Sequence, residues 1–170
     1  MENPLTSILF VCLGNICRSP LAEAAMKAEA ARLGLEIEVE SAGTGAWHIG
    51  DPPDHRAIAT ARRHGLDITA YRGRQVKAAD FRQFTHVVAL DRDNLADLRR
   101  LMPADATAEL SLLLDHVPNR EGQGVVDPYF GDDAGFETAW RDVTAGAAGL
   151  AAKLWTVGGE AFRNSTRAAP

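Results

Sequence analysis

Cysteine is scarce in this chain: there are two, Cys12 and Cys17, and none after them. Two thiols so close together cannot staple a whole fold, which excludes a disulfide scaffold and points to a reducing compartment with reactive thiols. Long apolar runs are missing too, and nothing approaches the ~20 residues a helix needs to cross a bilayer. The stretch from Met1 to Ser7 carries no basic segment, and the apolar residues from Ile8 run into Gly14 and Asn15 rather than a small-residue cleavage site, so export is not expected. Positive charge is in deficit: 18 Lys and Arg against 23 Asp and Glu give a formal net charge of -5. That balance argues against a nucleic-acid or anionic-membrane surface, so any anion site must be local. A cytoplasmic protein with no nucleic-acid or membrane partner is the expectation. Repeats and low-complexity segments are absent as well.

What remains, 170 residues with 46% hydrophobic and 24% charged, suits one domain over 1–157 followed by a flexible tail from Gly158 to Pro170. Ser7 to Val11 is β-branched and aromatic and reads as a buried strand. Leu21 to Leu33 is Ala-rich and reads as a helix, with Pro20 at its first position after a Ser19 cap and Gly34 at its C-terminal end. Glu36 to Glu40 alternates as a half-buried strand, Gly43 to Pro53 is a loop, and Asp54 to His64 is a helix closed by Gly65. Thr85 to Leu90 reads as a third strand. Asp91 to Met102 is an amphipathic helix with Leu95, Leu98 and Leu101 on one face, stopped by Pro103. Leu110 to Leu114 is the fourth strand, Pro118 to Asp133 a loop, and Ala134 to Val157 a closing helix despite Gly146 and Gly149. Strands alternating with helices predict a three-layer α/β fold: a four-stranded parallel sheet with helices on both faces and right-handed crossovers. Ligands in such folds sit at the C-terminal ends of the strands.

The loop after the first strand is Cys12-Leu13-Gly14-Asn15-Ile16-Cys17-Arg18, followed by Ser19-Pro20. A cysteine and an arginine at this spacing arise by chance in roughly one chain in ten, so context has to decide. Gly14 and Asn15 tolerate positive φ, which lets the chain curl and aim successive N–H groups into one concavity. The helix N-terminus adds its positive dipole end, and the Arg18 fork matches two phosphate oxygens. The same field favours the thiolate of Cys12. The plainer alternative makes Cys12 a small buried apolar residue and Arg18 a surface cap. The turn residues, the helix start and the position after the first strand all favour the anion site.

This loop resembles the signature of the low-molecular-weight protein tyrosine phosphatases. The similarity continues in order through Ser41-Ala-Gly-Thr44, Trp47-His-Ile-Gly-Asp-Pro-Pro53, Arg63-His-Gly65, Asp91-Arg-Asp-Asn94 and Asp127-Pro-Tyr129. The resemblance implies hydrolysis of phosphotyrosine and aryl phosphates without metal or cofactor. Cys12 is the implied nucleophile, Arg18 and the N–H groups of residues 13–19 hold the phosphate, and Asp127 is the implied general acid. Trp47 and Tyr129 would wall the ring slot, and Ser19 would donate to the Cys12 sulfur. Asn15, Ser41 and His64 would brace the loop, and Asp91 would orient Arg18 or simply cap its helix. Cys17 is the implied redox partner of Cys12. Phe130 stands where many family members carry a second tyrosine, which removes regulation by phosphorylation there. The implied partner is a phosphotyrosine-containing protein or peptide, met by a monomer or weak dimer.

Two other functions compete. An arsenate reductase of similar loop needs further thiols for its disulfide relay, and none follows Cys17. A silent phosphoprotein-binding module would use the same loop without turnover, and the joint presence of Cys12, Arg18 and Asp127 argues against it. Phosphoarginine and small phosphoesters stay open as substrates, since the loop recognises phosphate and the walls decide the rest.

Overall fold

A computed structural model describes residues 5–157. The expected tail from Gly158 lies outside the described residues. In chain order the elements are β1 (Ser7–Cys12), α1 (Arg18–Leu33), β2 (Glu38–Gly43), α2 (His55–Arg63), α3 (Asp80–Gln83), β3 (His86–Ala89), α4 (Arg92–Leu101), β4 (Glu109–Leu112), a 3-10 turn (Leu113–His116) and α5 (Asp133–Val157). The four strands are all parallel, in the order β2-β1-β3-β4. Strand β1 is therefore internal, and each of its residues is buried.

Alternation along β1 divides the core in two. Ile8, Phe10 and Cys12 point into a cluster with Leu21, Met26, Ala61 and Phe136, under α1, α2 and α5. Leu9 and Val11 point the other way, onto Phe81 and Leu98 of α3 and α4. Helices cover both faces, as a wholly parallel sheet requires. Each large apolar side chain buried here contributes about 1.5–3 kcal/mol. The layering leaves the C-terminal end of β1, where Cys12 pairs with Gly43, as the place where the loop emerges.

Several boundaries differ from expectation. Helix α1 starts at Arg18, with Cys17 at the capping position and no side-chain cap. Ser19 is thus inside the helix rather than its cap, and Pro20 is the third helical residue, where its missing N–H has no intrahelical partner to lose. Gly34 closes α1 in a left-handed conformation, φ 69°, as expected. Strand β2 runs deeper than Glu36–Glu40, because Ser41, Ala42 and Gly43 continue the pairing with Phe10, Val11 and Cys12. Strand β4 ends at Leu112, and Leu113 and Leu114 turn under α5. The glycines of α5 follow from that turn. A Cβ at Gly146 would fall 2.4 Å from Leu113 Cγ, and one at Gly149 would fall 2.1 Å from the His116 carbonyl oxygen. Among the described residues no helix is long and apolar enough to cross a membrane.

Candidate active site

Between β1 and α1 the chain curls around the sulfur of Cys12. The Asn15 N–H donates to Cys12 Sγ at 3.3 Å, and Ser19 Oγ lies 3.0 Å from it. Asn15 takes the left-handed conformation, φ 60°, and its side chain is held on three sides. Its Nδ2 donates to Ser19 Oγ (2.8 Å) and Ser41 Oγ (3.1 Å), and its Oδ1 accepts from the Arg74 N–H at 3.0 Å. Because Ser19 Oγ accepts from Asn15, its own proton is left for Cys12 Sγ or, at a longer 3.4 Å, the Ala42 carbonyl. The outer rim is pinned by Thr44 N–H to the Cys12 carbonyl and Gly45 N–H to the Leu13 carbonyl, each 2.9 Å. Gly43 lies so close beneath that a Cβ there would sit 2.8 Å from the Leu13 oxygen.

Behind Ser41 stands a carboxylate that sequence reading did not single out. Ser41 Oγ donates to Glu23 Oε1 at 2.8 Å, and Lys27 Nζ donates to Glu23 Oε2 at 2.6 Å. Glu23 fixes the Ser41 hydroxyl so that its lone pairs face Asn15. From sequence alone, Glu23 and Lys27 read as an ordinary i, i+4 surface pair; the signal was that Glu23 lies one helical turn after Ser19, on the buried face. Ser41→Ala removes a hydrogen bond worth about 1 kcal/mol from the strained residue of the loop. The expected result is a fall in kcat/KM for an aryl phosphate of about five- to tenfold, with weaker inhibition by inorganic phosphate. Steady-state kinetics check both.

Arg18 enters from the first turn of α1 and is 2% exposed. Its Nη1 donates to Asp91 Oδ2 (2.6 Å) and to the Val125 carbonyl (2.9 Å), and its Nη2 is 3.6 Å from Asp127 Oδ2. Burial opposes the guanidinium charge, but Cys12 and the carboxylates of Asp91 and Asp127 outweigh it and hold the Arg18 pKa above its ordinary value. Asp91 does both things weighed for it: one oxygen holds Arg18, and the other caps α4 at the Asn94 N–H, 2.7 Å.

Cys12, Arg18 and Asp127 open onto one cleft of about 280 Å³, walled by Ile16, Trp47 and Tyr129. Trp47 lies against Gly45, where any Cβ would overlap the indole at 1.9 Å. Phe130, at the mouth, is 95% exposed and packs edge-on to Tyr129. His48 also lines the cleft and was not anticipated. Cys17 is buried; desolvation, reinforced by Asp54, Cys12 and Asp127, pushes its pKa far up, so it is a neutral thiol near pH 7. Among the described residues no three His, Cys, Asp or Glu side chains gather as a metal site.

His64 is the exception among the expected residues. It does not brace the loop: its ring stacks on Trp140, centroids 4.9 Å apart, and its Nε2 is paired with Glu137 at 3.0 Å. The hydrogen bond behind Ser41 is made by Glu23. Arg56, also overlooked, reaches the Asp127 loop from α2.

A parallel α/β sheet whose first strand ends in a cysteine, cradled by a curled loop and a buried arginine, defines a thiol-bearing anion site. Comparison with known proteins gives it a family. The family model for low molecular weight phosphotyrosine protein phosphatase matches residues 7–157. Low molecular weight phosphotyrosine protein phosphatase 1 of Drosophila melanogaster is 41% identical over 143 residues, covering 83% of this chain and 92% of its own. Low molecular weight protein-tyrosine-phosphatase YfkJ of Bacillus subtilis is 39% identical over 152 residues, covering 88% of this chain and 96% of its own. The YfkJ crystal structure superposes with a TM-score of 0.84 at 37% identity, covering 92% of this chain and 98% of that one. The crystal structure of a Drosophila arginine phosphatase gives 0.80 at 32% identity, covering 85% and 94%. The chain belongs to the low-molecular-weight phosphotyrosine protein phosphatase family and is a phosphatase.

Proposed function

We propose that the chain hydrolyses phosphotyrosine in proteins or peptides through a phosphocysteine intermediate. The observation that carries this is the convergence on Cys12 Sγ of the Asn15 N–H and the Ser19 hydroxyl, in a cleft shared with Arg18, Asp127 and two aromatic walls. The Cys12 thiolate attacks phosphorus in line while Arg18 and the N–H groups of the loop hold the equatorial oxygens. The bond from phosphorus to the tyrosyl oxygen breaks, and the proton of Asp127 passes to that oxygen. Water then attacks the phosphocysteine, giving its proton back to Asp127, and the sulfur leaves as a thiolate steadied by the Ser19 hydroxyl. Inorganic phosphate is released. Two free thiols suit the reducing cytoplasm, and a cleft complete within one chain suits a monomer or weak dimer.

The test uses no added metal and compares a phosphotyrosyl peptide, a phosphoarginyl peptide and arsenate with excess thiol. Preferred turnover of the phosphotyrosyl peptide, with a quenched intermediate carrying phosphate on Cys12, is the expected result. Preference for phosphoarginine overturns the substrate, and arsenate reduction without hydrolysis overturns the reaction.

A further inference from the structure

The backbone of residues 126–132, which carries Asp127, is largely exposed, with Pro128 alone buried. Val126, Asp127, Tyr129, Phe130 and Gly131 are exposed. Among the described residues, the hydrogen bonds made to this backbone by side chains from elsewhere all come from Arg56. Its Nη2 donates to the Tyr129 carbonyl at 2.9 Å and its Nη1 to the Gly131 carbonyl at 3.2 Å. The guanidinium is aimed by a rigid seat. Asp54, whose side chain is 9% exposed, accepts from Arg56 Nε and Nη2, each at 3.0 Å, through its two oxygens. The same carboxylate caps α2 by accepting the Arg56 N–H at 2.8 Å. The Arg56 guanidinium carbon also lies 4.7 Å from the Phe136 ring centroid and 5.7 Å from that of Tyr129, so the fork is stacked as well as paired. At the other end of the strut, the Asp54 N–H donates to the Ile16 carbonyl at 2.8 Å, inside the loop that holds Cys12.

We infer that Arg56 is the positioning residue for the general acid: seated on Asp54, it ties the Asp127 loop to the Cys12 loop and sets the acid at protonating distance from the leaving oxygen. The inference rests on the reading of Asp127 as that acid. A planar five-donor fork is needed, because two donors go to Asp54 and two directions to separate carbonyls; an ammonium holds a carboxylate but not this geometry. Arg56 touches no reacting atom and acts only through where it puts Asp127.

The dependence of kcat/KM on the leaving group separates this role from a merely structural one. Phenyl phosphate leaves as a phenolate that needs a proton, whereas 2,4-dinitrophenyl phosphate leaves without one. Arg56→Gln is expected to lower kcat/KM for phenyl phosphate by about 10- to 100-fold, the cost of a misplaced catalytic group, and for the dinitrophenyl ester by no more than about twofold. Arg56→Lys, which keeps the charge and loses the fork, is expected to show the same selectivity and serves if the glutamine variant fails to fold. In an Asp127→Ala background either change is expected to be silent toward phenyl phosphate. Equal losses on both esters, no loss on either, or full additivity with Asp127→Ala overturns the inference. If Asp127→Ala is itself indifferent to the leaving group, the acid assignment falls and this inference with it. If Asp127→Ala is selective and the Arg56 variants are not, the inference alone falls.

Discussion

Cys12→Ser is expected to fold, to bind inorganic phosphate, and to hydrolyse p-nitrophenyl phosphate at less than about 10⁻⁴ of the wild-type rate, since loss of the nucleophile disables the catalytic unit as a whole. The reason lies in what surrounds position 12. The groups hydrogen-bonded at the sulfur are the Ser19 hydroxyl and the Asn15 N–H, donors that steady negative charge on the sulfur in the proposed reaction. A serine there needs a base to take its proton, and neither partner is one. Removing one sulfur for one oxygen in a buried position leaves the surrounding hydrogen bonds with an acceptor, so stability changes little. A continuous assay beside phosphate-inhibition measurements and a melting curve distinguishes the outcomes. A serine variant retaining a tenth of the activity would falsify nucleophilic attack by residue 12.

Asp127→Ala is expected to lower kcat/KM for a phosphotyrosyl peptide by about 10²- to 10⁴-fold, the usual worth of a positioned acid, while leaving phosphate binding nearly intact. Asp127 sits across the cleft mouth with a half-exposed side chain, 3.6 Å from Arg18, and its other oxygen accepts from the Tyr129 N–H at 3.1 Å. On the proposed mechanism the leaving oxygen lies opposite Cys12, on the open side of the cleft that Asp127 lines. The tyrosyl oxygen leaves poorly as an anion, so losing the proton donor is felt fully at the first chemical step. Steady-state kinetics on the peptide, with inhibition by phosphate as the control, measure both quantities. A loss of activity matched by an equal loss of phosphate affinity would instead make Asp127 a binding residue.

The fold was legible where local pattern and tertiary demand agree. Ser7 to Val11 could only be an internal strand, because both of its faces are apolar. Gly34 marked the end of α1 because a left-handed residue was needed there. The loop from Cys12 to Ser19 was legible because its chemistry is compressed into eight residues. Legibility failed where partners are remote. Leu110 to Leu114 is apolar but for Ser111, and the run Leu112 to Leu114 carries no alternation to say where a strand stops and a turn begins. His64 sits in the expected Arg63-His-Gly65 segment, but Trp140 and Glu137 on α5 decide where its ring goes. Arg56 was passed over within the helix expected from Asp54 to His64, because its carbonyl partners lie 73 and 75 positions away. Asp80 to Gln83 is too short for any period to show.

Asp91 divides its two oxygens between Arg18, which grows from the layer under α1, and the first turn of α4, on the opposite side of the sheet. The full set of bonds that orients Arg18, proposed to hold the phosphate, is therefore complete when both layers have docked. An opening that lifts α4 alone can leave the sheet and the larger core standing while the guanidinium loses its aim. On the proposed mechanism catalytic competence then depends on α4 being docked, and turnover in a partly unfolded population reports that docking rather than the survival of the loop that carries the cysteine.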